Sequence, residues 1–145
     1  MITILMLQIT KKINLRTTGN NLYEITDIIT KWIDECHLFK GLLNISIEHT
    51  SASLLVQENA DPTVLKDLKR FFLKLVPFNN DYFHSTEGID DMPAHIKSSL
   101  TNTNLTLSIL DNKLNIGTWQ GVFLFEHRIN NHDRYITLHF IGETG

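Results

Sequence analysis

Four histidines in the middle and C-terminal parts of the sequence stand beside acidic, amide or hydroxyl residues: His49, His84, His95 and His127. Neutral imidazole is a common metal ligand and a common acid–base group near neutral pH. Three imidazoles, or two with a carboxylate, can hold a catalytic metal ion that keeps an open position for water or substrate. The sequence contains no His-Glu-x-x-His or Cys-x-x-Cys motif. Spacing alone therefore leaves two interpretations open, a metal site or separate structural histidines.

A second group of polar residues, Glu58, Asn59 and Asp61, follows an apolar segment and precedes Pro62. Asp61 before a proline is typical of a helix N-cap. The free N–H groups at such a helix start also bind carboxylates and phosphates. We therefore interpret Glu58 and Asn59 as candidate site residues, whereas Asp61 has the simpler alternative of a plain cap.

A third candidate is Glu126, which ends a run of Val, Phe and Leu. A carboxylate beside such a strand must lie exposed at its end or be paired. Arg128 and Arg134 are the candidate partners, and an arginine is also suited to bidentate binding of a substrate phosphate.

Three helices are predicted to position these residues. Apolar residues recur at helical spacing over residues 22–36, and Asn21 with Glu24 resembles a capping box. A second helix starts at Asp61 and ends before Pro77. A short third helix, capped by Asp90 or Asp91, runs to about Leu100. The second helix has an apolar stripe that is predicted to be buried, consisting of Val64, Leu65, Leu68, Phe71, Phe72 and Leu75.

Alternating or continuous apolar residues predict six strands, near residues 2–14, 43–47, 54–56, 105–109, 119–125 and 134–141. Strands outnumber helices and do not alternate with them regularly, which favours an α+β fold over a doubly wound one. The 145 residues, 42% of them hydrophobic, suit one domain spanning residues 1–145.

The composition excludes several classes of partner. A formal net charge of -3 and the absence of a basic cluster beyond one predicted helix face argue against nucleic-acid binding. The apolar opening Met1–Leu7 is too short to span a bilayer and has no basic leader. Cys36 is the only cysteine, so no internal disulfide can form. We expect a cytoplasmic protein without a membrane partner, and the lack of a Gly-rich phosphate loop predicts no nucleotide cofactor.

Three long segments then resemble one family. They are Glu48–Asp61 (EHTSASLLVQENAD), Glu87–Leu100 (EGIDDMPAHIKSSL) and Gly117–Arg128 (GTWQGVFLFEHR). Together they resemble the YjbQ family, also called the secondary thiamine-phosphate synthase enzyme family, and the resemblance runs from about Leu7 to Gly142.

This resemblance implies a compact single α+β domain with a mixed, mostly antiparallel, barrel-like sheet and about three helices. It also implies a homotrimer with a cleft near the subunit interface. The activity implied is the joining of a pyrimidine methyl diphosphate to a thiazole phosphate, with release of pyrophosphate.

The resemblance also implies which residues form the site. The predicted catalytic residues are His49, Glu58, His95 and Glu126. The predicted substrate-binding residues are Asn59, Asp61, Trp119, Gln120 and Arg134. The chemistry of diphosphate departure adds Lys97, which together with Arg134 is a candidate for a diphosphate clamp. The predicted metal ligands are His49, His84 and His95.

We therefore expect an enzyme acting on a small phosphorylated substrate, with a divalent metal, zinc or magnesium, as its cofactor. Magnesium prefers oxygen ligands, whereas histidines suit zinc, nickel or iron, so the histidine-rich set leaves the reaction open. Two alternatives remain: a non-catalytic trimer that binds a metal or a metabolite, and a metal-dependent hydrolase.

Overall fold

The computed structural model describes residues 6–145, which form three α-helices and eight β-strands. In chain order these are β1 (Leu7–Thr18), β2 (Asn21–Glu24), α1 (Thr26–Glu35), β3 (Leu38–Ile47), β4 (Ala52–Glu58), α2 (Pro62–Leu75), α3 (Asp91–Leu100), β5 (Asn104–Leu110), β6 (Lys113–Leu114), β7 (Gln120–Glu126) and β8 (Asn131–Thr144). None of the helices in residues 6–145 is long and apolar enough to cross a membrane.

The strands form two antiparallel sheets. The larger sheet has the order β1-β8-β3-β5-β6 and the smaller one the order β2-β7-β4. The predicted α+β fold class is confirmed, and every strand pair within residues 6–145 is antiparallel. The long strands β1 and β8 pair from Leu7 to Thr18 without a break, so the first strand extends beyond its predicted end at residue 14.

The main core is formed by the larger sheet, by α1 and by buried residues of the smaller sheet. Side chains alternate across a strand, so the inward residues of β3 and β8 form two apolar rows. These rows consist of Leu43, Ile45 and Ile47 in β3 and Ile136, Leu138 and Phe140 in β8. Helix α1 covers them with Ile29, Trp32 and Ile33.

The first helix starts later than predicted. Asn21–Glu24 is strand β2, which pairs with β7, and α1 begins at Thr26. Leu22 packs with Phe125 instead of opening a helix. The strand pairing with β7 outweighs the local capping signal, and Glu24 accepts a hydrogen bond from Thr26 rather than closing a capping box.

Helix α2 begins as predicted, because Asp61 accepts a hydrogen bond of 2.9 Å from the Thr63 N–H. The prediction that its apolar stripe is buried is wrong. Only Leu65 and Phe72 pack against the second apolar cluster, beside β2 and β7. Phe71 and Leu75 are more than half exposed, so only part of the stripe contacts the smaller sheet.

The last strand starts earlier than predicted, because β8 begins at Asn131, which pairs with Thr18 of β1. Asp90 occupies the N-cap position of α3, but its side chain makes no capping hydrogen bond. The part of the first predicted strand that covers residues 2–5 lies outside the described residues.

Candidate metal centre

Three potential metal ligands converge at the start of α3. His84 Nε2 lies 2.6 Å from Asp91 Oδ2, and His95 Nε2 lies 3.2 Å from the same oxygen. The ligand atoms of all three residues lie within 4.8 Å of one another. Two imidazoles and one carboxylate with remaining open positions are a donor set found in catalytic metal sites.

Local structure explains this convergence. Asp91 and His95 stand four residues apart in α3, so they share one helix face. The irregular segment before α3 returns His84 to this face through a turn at Gly88, whose φ is +108°. Only glycine adopts such a backbone conformation readily.

A backbone contact fixes the orientation of the His95 ring. Its Nδ1 lies 3.0 Å from the carbonyl oxygen of Thr50, and a carbonyl can only accept, so Nδ1 carries the proton. In the neutral ring Nε2 then presents a lone pair toward Asp91 Oδ2. Two acceptors 3.2 Å apart repel each other unless a cation, a proton or a metal ion, lies between them. Metal-binding histidines typically donate their other ring N–H to a carbonyl oxygen in this way.

Arg128 holds the carboxylates of Asp90 and Asp91. Its Nε donates to Asp90 Oδ2 at 2.9 Å, its Nη1 to Asp91 Oδ1 at 2.5 Å and its Nη2 to the Glu87 carbonyl at 3.0 Å. Burial opposes ionisation of Asp91, but the hydrogen bond from His84 and the charge of Arg128 together hold its pKa below the usual value.

A small cavity adjoins the cluster at His84. It has a volume of about 90 Å³ and is lined by Phe78, Asn80, Tyr82, His84, Ser85, Gly88 and Ile89. The volume suits a single small group, such as one phosphoryl group or one small ring. The His84 and His95 side chains are partly exposed, at 41% and 32%, whereas Asp91 is 3% exposed, so the ligand atoms can be reached from solvent.

Two buried polar atoms behind the cluster have no hydrogen-bond partner among the described residues, Lys97 Nζ and His127 Nδ1. The Lys97 ammonium lies 5.3 Å from the ring centre of Phe78, which also lines the cavity. Burial lowers the pKa of Lys97, and Asp90 opposes this shift. Burial, together with the charges of Lys97 and Arg134, lowers the pKa of His127 to about 3, so this imidazole is neutral at physiological pH.

Glu126 and Arg134 form a buried ion pair. Arg134 Nε lies 2.6 Å from Glu126 Oε2, and Nη2 lies 2.5 Å from Oε1 and 3.0 Å from Ser51 Oγ. Thr17 also donates to Glu126. Both charged groups thus have a structural partner, and the assignments of Glu126 to catalysis and of Arg134 to substrate binding stay predictions.

His49 lies beside this ion pair and outside the three-ligand group. Its Nε2 accepts a hydrogen bond of 2.8 Å from the Tyr135 N–H, which occupies one of its two potential ligand atoms. Burial, aided by the charge of Arg134, lowers its pKa. The next residue, Thr50, contacts the cluster, because its carbonyl oxygen accepts a hydrogen bond from His95. The structure therefore unites two of the three predicted metal ligands, with Asp91 in the third place.

The remaining predicted site residues lie at the opposite end of β4 and β7. In the register of these strands, Ala52 pairs with Glu126 at the cluster end and Glu58 pairs with Gln120 at the far end. Six residues of strand separate the two ends by about 20 Å. The far end carries Glu58, Asn59, Asp61, Trp119 and Gln120, with Trp119 64% exposed. Within one chain, this far-end group therefore lies apart from the histidine cluster.

Sequence reasoning missed the roles of Asp91 and Arg128. Asp91 was considered only as a helix cap, although an Asp and a His four residues apart on a helix were a signal for a shared ligand face. Arg128 was considered as a partner of Glu126 or as a phosphate-binding residue. Its true partners lie 37 and 38 residues away in sequence, and no local pattern indicates such a contact.

Fold and cluster together define a compact α+β protein with a candidate His-Asp-His metal centre. Residues 11–143 match the family described as UPF0047 protein YjbQ-like. The chain is 48% identical over 128 residues to the UPF0047 protein sll1880 of Synechocystis, which covers 88% of this chain and 87% of that protein. It is 44% identical over 134 residues to the UPF0047 protein YjbQ of Escherichia coli O157:H7, covering 92% and 97%. The chain belongs to the YjbQ/UPF0047 family.

Solved structures agree with this assignment. A crystal structure of an uncharacterised conserved YjbQ/UPF0047 protein from Clostridium acetobutylicum superposes with a TM-score of 0.83 at 32% identity, covering 90% of this chain and 98% of that one. A YbjQ-like protein of unknown function from Sulfolobus solfataricus superposes with a TM-score of 0.88 at 21% identity, covering 96% and 100%. The second likeness shows the fold alone.

The buried ion pair predicts a large loss of stability for Arg134→Met. This change leaves the Glu126 carboxylate buried without its countercharge, which costs about 3–5 kcal/mol of unfolding free energy. Urea denaturation followed by circular dichroism measures the loss. Arg16→Met is the matched control, because it breaks an exposed pair with Asp133 and should change the midpoint little. An Arg134→Met protein as stable as the control would show that the ion pair contributes nothing to folding.

The depressed pKa of His127 predicts a specific dependence of stability on pH. An unfolded histidine takes up a proton near pH 6.5, whereas folded His127 does so only near pH 3. Stability is therefore fully present above pH 6.5 and is lost as the pH falls toward 3, at about 1.4 kcal/mol per pH unit.

Between pH 7.5 and pH 5, the wild-type protein should therefore lose about 2 kcal/mol more unfolding free energy than His127→Gln. Urea titrations at both pH values measure this difference, and His139→Gln, on an exposed strand position, is the control. Equal pH slopes in wild type and His127→Gln would contradict the buried neutral state of His127.

Proposed function

We propose that the protein is a metal-dependent enzyme acting on a small phosphorylated metabolite, with His84, Asp91 and His95 as the metal ligands. The observation that carries this proposal is the convergence of three ligand atoms within 4.8 Å on a solvent-accessible face. The hydrogen bond from His95 to the Thr50 carbonyl supports it, because it orients the Nε2 lone pair toward the carboxylate.

The donor set bears on the choice of metal. Two imidazoles and one carboxylate favour zinc, iron or nickel over magnesium, which prefers an oxygen environment and keeps several waters. Glu87 is a further carboxylate, 3.5 Å from His84. We therefore propose zinc or a similar transition metal as the resident ion, which would act as a Lewis acid on a phosphoryl oxygen.

The charges around the cluster support an anionic substrate. Asp90, Asp91 and Glu87 supply three negative charges, and Arg128 and Lys97 supply two positive ones. A divalent metal would change the sum from -1 to +1, which would favour an anionic group such as a phosphate at this site. Lys97 is the proposed phosphate-binding residue, since a buried ammonium without a hydrogen-bond partner is costly unless a ligand pairs with it.

Thiamine-phosphate synthase chemistry remains the proposed reaction, as the family resemblance implies. In it a pyrimidine methyl diphosphate loses pyrophosphate and a thiazole phosphate adds to the resulting methylene carbon. The chain's part is to bind the diphosphate, compensate its charge and exclude water from the cation. The cavity of about 90 Å³ beside His84 suits one end of such a substrate.

The metal proposal predicts close to one transition-metal ion per chain. Elemental analysis of the untagged protein, after removal of metal by a chelator and reloading with zinc, measures the ratio. His84→Gln and His95→Gln should each reduce retained zinc at least tenfold, because each removes one of three ligands. His139→Gln, on an exposed strand position, serves as the control and should retain the metal. Unchanged zinc in both cluster variants would refute the metal centre.

The same preparations distinguish the candidate functions when they are given both thiamine precursors. Formation of thiamine phosphate that depends on His84 and His95 supports the synthase. Phosphate released without the second substrate indicates a metal-dependent hydrolase instead. Saturable binding without any turnover indicates a non-catalytic binding protein.

We also propose that the protein is a homotrimer with its cleft between subunits. The supporting observation is that the far-end group, Glu58 to Asp61 with Trp119 and Gln120, lies about 20 Å along β4 and β7 from the strand ends beside the cluster. The exposed aromatic side chains Phe71 and Trp119 offer apolar surface for such contacts. Light scattering at micromolar concentration should give three times the chain mass of 16.7 kDa. A monomer mass would exclude the shared cleft.

A further inference from the structure

Arg128 is the residue that determines how the Asp91 carboxylate is presented. It lies two residues after the end of β7 and far from α3 in sequence. Its guanidinium group reaches the cluster. Nη1 donates to Asp91 Oδ1 at 2.5 Å, while the other carboxylate oxygen, Oδ2, faces His84 and His95. One oxygen of the Asp91 carboxylate thus contacts Arg128, and the other contacts the two histidines.

Arg128 is itself firmly held. Its Nε and Nη2 are bonded to Asp90 Oδ2 and to the Glu87 carbonyl, and its own backbone N–H donates to Glu126 Oε1 at 3.0 Å. Asp90 in turn accepts from the Ile129 N–H. The Arg128 side chain is 16% exposed. Gly88 makes this arrangement possible, since a Cβ there would approach Asp90 Oδ1 to 3.0 Å.

A held Oδ1 has a consequence for metal coordination. A carboxylate with one oxygen committed to an arginine can offer only the other oxygen to a metal, so it binds through a single atom. The resulting set of two nitrogens and one oxygen suits four-coordinate zinc. Larger or harder ions accept more oxygen ligands and often a bidentate carboxylate, so this ligand set binds them less favourably.

We propose that Arg128 is a positioning residue that makes Asp91 a one-oxygen ligand and so sets the preference of the centre for zinc over manganese. This inference rests on the proposed metal centre and adds to it the residue that selects the ion. Without Arg128, Oδ1 becomes free to coordinate, and the carboxylate loses the partner that fixes its orientation.

The test measures the dissociation constants of zinc and of manganese for the full chain, by competition with a chromogenic chelator and by calorimetry. Arg128→Met should weaken zinc binding about 10–100-fold, because loss of a group that orients a metal ligand has an effect of this size. Manganese binding should fall much less, because the freed oxygen compensates. The zinc-to-manganese preference should therefore drop at least tenfold.

Two milder variants protect the test against misfolding of Arg128→Met. Asp90→Asn loosens Arg128 without changing a metal ligand and should shift the preference in the same direction by a smaller factor. Arg128→Lys keeps the charge but lacks the fork that spans both aspartates, and should restore the preference only in part. Arg16→Met removes an exposed arginine elsewhere and should leave both constants unchanged.

The outcomes separate this inference from the proposed function. A wild-type chain that binds neither ion refutes the metal centre, and the role of Arg128 with it. A wild-type chain that binds zinc, with variants that lose both ions by the same factor or lose neither, leaves the metal centre standing and refutes the role of Arg128. Only a changed preference supports both.

Discussion

The buried pair of Glu126 and Arg134 is the interaction on which the rest of the site depends. Glu126 ends β7 of the smaller sheet, Arg134 lies in β8 of the larger sheet, and Thr17 of β1 also donates to the carboxylate. Two charges removed from water are stable only when each is satisfied by good hydrogen bonds. Their mutual requirement therefore fixes how the ends of the two sheets meet, more strictly than apolar packing alone would.

The position of the candidate metal centre follows from this junction. Glu126 Oε1 also accepts a hydrogen bond from the Arg128 N–H. This bond fixes the direction in which the chain leaves β7. Its guanidinium then reaches Asp90 and Asp91 at the start of α3. Ser98 of the same helix donates to the Ala52 carbonyl, at the neighbouring end of β4. The helix that carries Asp91 and His95 is thus tied to the end of the smaller sheet that meets the larger sheet through Glu126 and Arg134.

The sequence predicted the elements whose signal is local and missed the contacts that depend on distant residues. The alternation of Leu43, Ile45 and Ile47 defined β3 correctly, and Asp61 before Pro62 marked the start of α2, since both patterns act within a few residues. Asn21–Glu24 was mistaken for a helix start because its pairing with β7, about 100 residues later, is invisible locally. His84 and His95 were predicted to lie together and do so, with the Asp91 carboxylate beside both, whereas His49 accepts a hydrogen bond from the distant Tyr135 N–H, a contact that no local pattern indicates.

The ligand atoms of the candidate centre are positioned by contacts within the domain, and this bears on its role. The structural metal of a small domain replaces a missing core. Here the apolar rows of β3 and β8 with the cover of α1 form a core, and the Glu126–Arg134 pair joins the two sheets. His84 and Asp91 lie in hydrogen-bond contact, and the Thr50 carbonyl orients His95. Since the domain has a core of its own, an ion at this centre would serve binding or catalysis rather than replace a core.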